Sequence, residues 1–233
     1  MPLLEIEGLK KSYMSPEGNR HTIIDVPWFT LQEKSQVALR GESGSGKTTL
    51  LNLIAGILKP DEGRVVIDAQ EMSALNEPGR DRLRAMNIGY IFQTFNLLQG
   101  YTCLENVLLG MSFGPGVDRG FAETLLKRVG LGDRMKHRPR QLSTGQQQRV
   151  AVARALANKP KLVLADEPTG NLDHNNAREA LGLIREACKE NGAALLLVSH
   201  DREVLGQFRT VFDLSRINKA LDEAATNESE EGS

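Results

Sequence analysis

The first third of the chain alternates apolar and polar side chains in short runs: "LLEIEGL" at 3–9, "HTIIDV" at 21–26, "SQVALR" at 35–40 and "GRVVID" at 63–68. A period of two sends successive side chains to opposite faces, and turn residues separate the runs, so each predicts a short strand. "KTTLLNLIAGIL" (47–58) instead carries apolar residues at helical spacing and predicts a helix stopping before Pro60. The middle, about 94–158, predicts helices at "TCLENVLLGM", "GFAETLLKRVGL" and "TGQQQRVAVARALANK", punctuated by "FGPG" (113–116) and "HRPR" (137–140). "KLVLAD" (161–166) and "AALLLVSH" (193–200) are apolar without alternation, the pattern of parallel strands covered on both faces, with a helix over roughly 174–190 between them. The acidic tail from about 217 reads as a helix fraying into disorder. Strands alternating with helices, interrupted by one helical block, predict an α/β core with an inserted helical lobe.

Composition narrows the class. With 233 residues, 40% of them hydrophobic and 25% charged, the chain has the make-up of a globular protein with a real core. A net charge of −1 argues against nucleic acid as a partner, and the basic run "RMKHRPR" (134–140) reads as a solvated loop. Two cysteines, Cys103 and Cys188, lie far apart and predict buried thiols in a reduced compartment. No stretch approaches the roughly 18 apolar residues of a spanning helix, and charges interrupt the apolar N-terminus as no signal peptide allows. The expectation is a cytoplasmic chain that another protein anchors wherever it works at a membrane.

Two motifs carry chemistry. "GESGSGKTT" (41–49) satisfies Gly-x4-Gly-Lys-Ser/Thr through Gly41, Gly46, Lys47 and Thr48. In such a loop the backbone N–H groups around Glu42, Ser43, Gly44, Ser45 and Thr49 turn toward a polyphosphate, and the following helix aims its positive end at the same charge. Lys47 is placed to reach the β and γ phosphates and Thr48 to ligate Mg²⁺. "LVLADEP" ends an apolar strand with Asp166 and Glu167, where ligand sites of open α/β sheets lie. One carboxylate suits Mg²⁺ and its neighbour suits polarising a water. Further on, Ser143 precedes an amphipathic helix as a natural N-cap, creating a second anion-seeking helix start. One nucleotide has one γ-phosphate, so the second start points to a partner copy.

Together these stretches resemble the ATP-binding-cassette ATPases, over about residues 3–216. Their Leu-Ser-Gly-Gly-Gln signature appears here as Leu142, Ser143, Thr144, Gly145 and Gln146. The resemblance implies a P-loop NTPase (RecA-like) core, an N-terminal antiparallel β portion and an α-helical subdomain inserted at about 94–158. It implies ATP and Mg²⁺ as cofactors, and two cassettes sandwiching two ATP molecules, each cradle completed by the other copy's signature. By the same resemblance Tyr13 stacks on adenine, Gln93 joins Thr48 and Asp166 around Mg²⁺, Asp173 sits in the loop between paired sites, and His200 contacts the γ-phosphate. "LRAMNIGYIFQTFNLLQGYTCLENVLL" (83–109) and "ADEPTGNLD" (165–173) are most similar to the lipoprotein-releasing, macrolide-export and cell-division branch. That branch implies a motor subunit on the cytoplasmic face of the cell membrane, working with transmembrane permease subunits. A regulatory or scaffold module of a membrane complex is the competing expectation. Three departures stand out. The ending "VFDLSRIN" lacks the family's usual closing turn with glycine and leaves the last strand undefined. Thr144 replaces a signature glycine, a strain of about 1–3 kcal/mol if its backbone needs a glycine-like conformation. Arg40, just before the cradle, is unusual for the family.

Overall fold

A computed structural model describes residues 2–16 and 18–221. In chain order the elements are β1 (Pro2–Met14), β2 (Arg20–Gln32), β3 (Gln36–Arg40), α1 (Lys47–Ile54), β4 (Glu62–Ile67), β5 (Gln70–Glu71), α2 (Glu77–Asn87) and β6 (Ile88–Ile91). Then follow α3 (Cys103–Met111), α4 (Arg119–Arg128), α5 (Thr144–Ala155), β7 (Leu162–Asp166), α6 (His174–Glu190), β8 (Ala194–Ser199), α7 (Arg202–Leu205), β9 (Thr210–Asp213) and α8 (Leu214–Ile217).

The strands form two sheets. An antiparallel sheet runs β2-β1-β4-β5, and a parallel one runs β6-β7-β8-β3-β9. In the first, the alternation of β1 buries Leu4, Ile6 and Leu9 on one face. In the second, β6, β7 and β8 are buried at every position, which explains their unbroken apolar runs. Their alternate residues feed two cores. Leu162, Leu164, Leu196 and Val198 pack with α1 and the antiparallel sheet. Val163, Ala165, Leu195 and Leu197 pack with α3, α4, α5 and α6. The fold is the expected α/β P-loop architecture with an antiparallel β portion.

Several boundaries differ from the sequence expectation. The first helix ends at Ile54, not near residue 58, because Gly56 turns left-handed at φ +65° and stops it. "TVFD" is a true strand, β9, hydrogen-bonded in parallel to β3. The sequence left it undefined because Thr210, Val211 and Phe212 are all exposed on a sheet edge and show no alternation. The pattern also missed α2 and β6. The expectation of a disordered tail falls mainly on 222–233, outside the described residues; 214–217 form α8. Asn218 is fully buried, accepting from the Asp25 N–H at 2.7 Å and donating to the Ile23 carbonyl at 2.9 Å, and so fastens the end of the described chain to β2.

Candidate active site

The carboxyl ends of β3, β7 and β8 converge, as ligand sites of open α/β sheets require. β3 delivers the loop 41–46, whose last residue caps α1. Gly46 has φ +88°, and a Cβ there would lie 3.0 Å from Ile24 Cδ1 and 3.2 Å from the Ile23 carbonyl oxygen. Only glycine fits that turn, which aims the start of α1 along the loop. A cleft of about 400 Å³ opens over it, lined by Ser43, Gly44, Lys47, Thr48 and Thr49 on one side. Gln93, Glu167 and His200 line the other, with Tyr13 and Ile23 at one end. Tyr13 is 44% exposed at the end of β1, so a flat ring is available there. Ser45 is buried and donates to the Glu42 carbonyl at 2.8 Å, bracing the loop.

Inside the cleft the charged groups are already paired. Lys47 Nζ donates to the carbonyls of Gly41 (2.8 Å) and Glu42 (2.7 Å) and lies 3.4 Å from Glu167 Oε1. Glu167 also receives the Ser199 hydroxyl on Oε2 at 2.9 Å and faces His200 Nδ1 with Oε1 at 2.7 Å. A carboxylate only accepts, so in this contact the imidazole Nδ1 carries a proton and donates it. Glu167 has φ +41°, a left-handed backbone that non-glycine residues avoid; the cost, of order 1–3 kcal/mol, is borne at this one position.

Asp166, next to it, is nearly buried, and its Oδ1 has no partner among the described residues. Burial pushes its carboxyl above the usual aspartate range, helped by the Glu167 charge and opposed by a hydrogen bond from Thr48 and by the Lys47 charge. A buried carboxylate oxygen left open next to the Thr48 hydroxyl, with Thr48 and Gln93 lining the adjoining cleft, offers hard oxygen donors that fit Mg²⁺. Gln93 is exposed, as a loop residue reads without the family; its carbonyl accepts from Asn171 at 2.8 Å.

The signature residues lie elsewhere. Ser143 caps α5: its hydroxyl accepts from Gln146 N–H at 3.3 Å, and the Gln146 side chain accepts from Ser143 N–H at 3.1 Å. Ser143, Gly145 and Gln146 line a separate hollow of about 350 Å³ with Arg149 and Asn176. Thr144 is exposed and opens α5 in right-handed helical conformation, so the glycine-type strain foreseen for it does not arise. Asp173 caps α6, accepting from Asn176 N–H at 3.1 Å, and this bond holds its carboxyl below the usual range. Arg40 is paired with Asp213 at 3.4 Å, a surface contact between the ends of adjacent strands.

Residues 25–170 match the family described as ABC transporter. The chain belongs to that family. The lipoprotein-releasing system ATP-binding protein LolD of Pseudomonas syringae pv. tomato is 42% identical over 216 residues, covering 91% of this chain and 94% of its own. LolD of Hydrogenovibrio crunogenus is 43% identical, with 91% and 94% covered. Among solved structures, the dimeric post-hydrolysis state of the ATP-binding cassette MJ0796 bound to ADP and Pi superposes with a TM-score of 0.82 at 35% identity, over 90% of this chain and 93% of that one. The chain is therefore an ABC cassette, an ATP-binding and ATP-hydrolysing unit.

Sequence reasoning missed two cassette residues that the site uses. Ser199 holds Glu167, and Asn171 holds the backbone of Gln93. Ser199 had a usable signal, its place beside His200 at a strand end. Asn171 had none short of the fold.

Proposed function

We propose that this cassette is the motor subunit of an ABC transporter, closing on ATP with a second copy of itself and driving a separate transmembrane partner in export, lipoprotein release or mechanical signalling. The observation that carries the pairing is the separation just described. The cradle with Glu167 and the hollow under Ser143 are distinct clefts of one chain, so a complete site takes one cleft from each copy.

The chemistry asks mainly for positioning and charge neutralisation. Adenine stacks on Tyr13 against Ile23. The loop 41–46 and the start of α1 cradle the phosphates with backbone N–H groups. Phosphate oxygens compete for Lys47 with the carbonyls of Gly41 and Glu42 and with Glu167. When Lys47 turns to phosphate, Glu167 is left to orient the attacking water and take its proton. Ser199 holds one carboxylate oxygen, and His200 contacts the γ-phosphate. Thr48, Gln93 and Asp166 would hold Mg²⁺, which supplies neutralising charge on the triphosphate. The partner's Ser143, Thr144, Gly145 and Gln146 present the start of α5 to the same phosphates, and Asp173 lies in the loop that joins the paired sites.

An apolar groove of about 430 Å³, lined by Ile57, Tyr90, Phe92, Phe113 and Ala155, supports docking of the transmembrane partner. Phe113 there is 71% exposed, and Phe92 stacks on Tyr90 at 4.1 Å while its neighbour Gln93 faces the nucleotide cleft. One peptide bond thus joins the groove to the chemistry. No described helix is long and apolar enough to cross a membrane. As such a motor the cassette sits on the cytoplasmic face of the membrane through that partner, which the groove between the core and the subdomain 94–158 receives.

The test is complementation. Lys47→Ala removes the cradle, Ser143→Ala the signature, and each variant alone is expected to be inactive. Mixing them assembles one intact site per heterodimer and restores phosphate release. A mixture as silent as its components sinks the paired-site reading.

A further inference from the structure

Helix α5 is built mostly from apolar positions on its buried side, with Val150, Ala151, Val152 and Ala153 in the core. Gln148 interrupts them. It is 0% exposed, and its Nε2 donates to the Pro168 carbonyl at 2.5 Å. Its Oε1 is buried with no partner among the described residues. A half-satisfied buried amide is a cost that leucine or methionine in the same space avoids, so packing does not explain the residue.

What it touches does explain it. Pro168 directly follows Glu167, and proline has no N–H, so its carbonyl is its one backbone polar group. The turn that carries Glu167 at φ +41° is pinned by Glu167 N–H to the Val198 carbonyl and Gly170 N–H to the Glu167 carbonyl, each 3.1 Å. Gln148 pins it from a third direction, 20 residues away in sequence. Five residues before Gln148, on the same helix, Ser143 caps the helix start that lines the second hollow.

We infer that Gln148 is a positioning residue that locks the Glu167 turn to the start of α5, so that the part a copy plays in its own site and the part it plays in its partner's are set by one side chain. This rests on the roles proposed above for Glu167 and Ser143. A shift of α5 against the parallel sheet pulls on the Pro168 carbonyl and moves the Glu167 carboxylate. A shift of Glu167 is felt at Ser143 of the same copy and hence at the other nucleotide. The link is reciprocal, as any coupling between two sites must be.

The Lys47→Ala and Ser143→Ala pair offers a test with one working site and silent homodimers. Gln148→Met, similar in length but without the amide, is placed first in the Ser143→Ala copy, whose Glu167 works, and then in the Lys47→Ala copy, whose Ser143 works. The inference expects kcat about tenfold lower in both placements. It also expects unchanged ATP affinity in the Ser143→Ala copy, because residues 41–49 are untouched. The Gly170 amide should exchange faster with solvent in Gln148→Met, a readout independent of turnover. Parent-level kcat in both placements, a defect in one placement only, or unchanged Gly170 exchange overturns the link. If Gln148→Met fails to fold, Gln148→Leu carries the same expectations. A parent pair that shows no complementation removes the paired-site reading itself, and this inference with it, whatever Gln148 does.

Discussion

Replacing Glu167 by glutamine separates charge from shape at the centre of the site. The amide oxygen can stand where Oε1 stands and still accept from His200 Nδ1 at 2.7 Å. The amide nitrogen then faces Ser199, whose hydroxyl donates at 2.9 Å in the parent and can turn to accept. The fold therefore has little reason to change. What disappears is the negative charge 3.4 Å from Lys47 Nζ. At an effective dielectric of about 20, that attraction amounts to about 5 kcal/mol. Desolvation of the buried pair offsets most of it, leaving a net effect of about 1–2 kcal/mol. Lys47 is then freer to meet phosphate, and one acidic neighbour of the triphosphate is gone. ATP binding should tighten about tenfold, or about 1.4 kcal/mol. Turnover should fall about 10²–10⁴-fold, because glutamine cannot take the proton of the attacking water. That is about 3–5.5 kcal/mol of barrier. Phosphate release under initial-rate conditions reads the second number, titration with a fluorescent ATP analogue the first, and light scattering the ATP-locked dimer that follows. Parent-level turnover removes Glu167 from this role; weakened ATP binding refutes the reasoning about Lys47.

Thr144→Gly restores the family's signature residue, yet Thr144 already opens a right-handed helix. No strain is relieved, and glycine costs a helix up to about 0.5 kcal/mol relative to threonine. Phosphate release should stay near the parent rate and the melting temperature should fall slightly; a marked rise in turnover would show that Thr144 acts as a brake. Asp166→Asn tests the burial of that carboxylate. Its raised value means that the folded state holds a proton the unfolded chain releases, so its contribution to stability is full below 3.8 and is lost as pH rises through the folded value. Without Mg²⁺ or nucleotide, the variant should melt above the parent at pH 7, with the gap closing in acid, while ATP hydrolysis is lost. A variant that melts below the parent at neutral pH contradicts the burial argument.

The cradle, the acidic strand end and the signature were legible because each is written locally. A phosphate loop needs glycines, a lysine and a hydroxyl at fixed spacing, and Asp166-Glu167 ends a strand whose apolar run is plain. The four residues of β6 are too few to show a period, and α2 buries only Leu83 and Asn87, too few to mark an apolar face. β9 was hidden by its exposure at the sheet edge. The partners of Glu167 come from 32 and 33 residues away, and Gln148 reaches Pro168 across 20. Such contacts are set by the packing of α5 and β8 on the sheet, and one sequence holds no local trace of them. The strain feared at Thr144 came from reading a motif letter without its backbone.

The strand order β6-β7-β8-β3-β9 seats an early strand between two late ones. β3 is complete by residue 40, yet both its neighbours, β8 and β9, are translated after residue 193. The β1–β2 hairpin can close as soon as it leaves the ribosome, but the strand that feeds the phosphate loop waits for the chain to be nearly finished. A nascent or prematurely terminated product therefore carries every glycine of the cradle and still cannot assemble it.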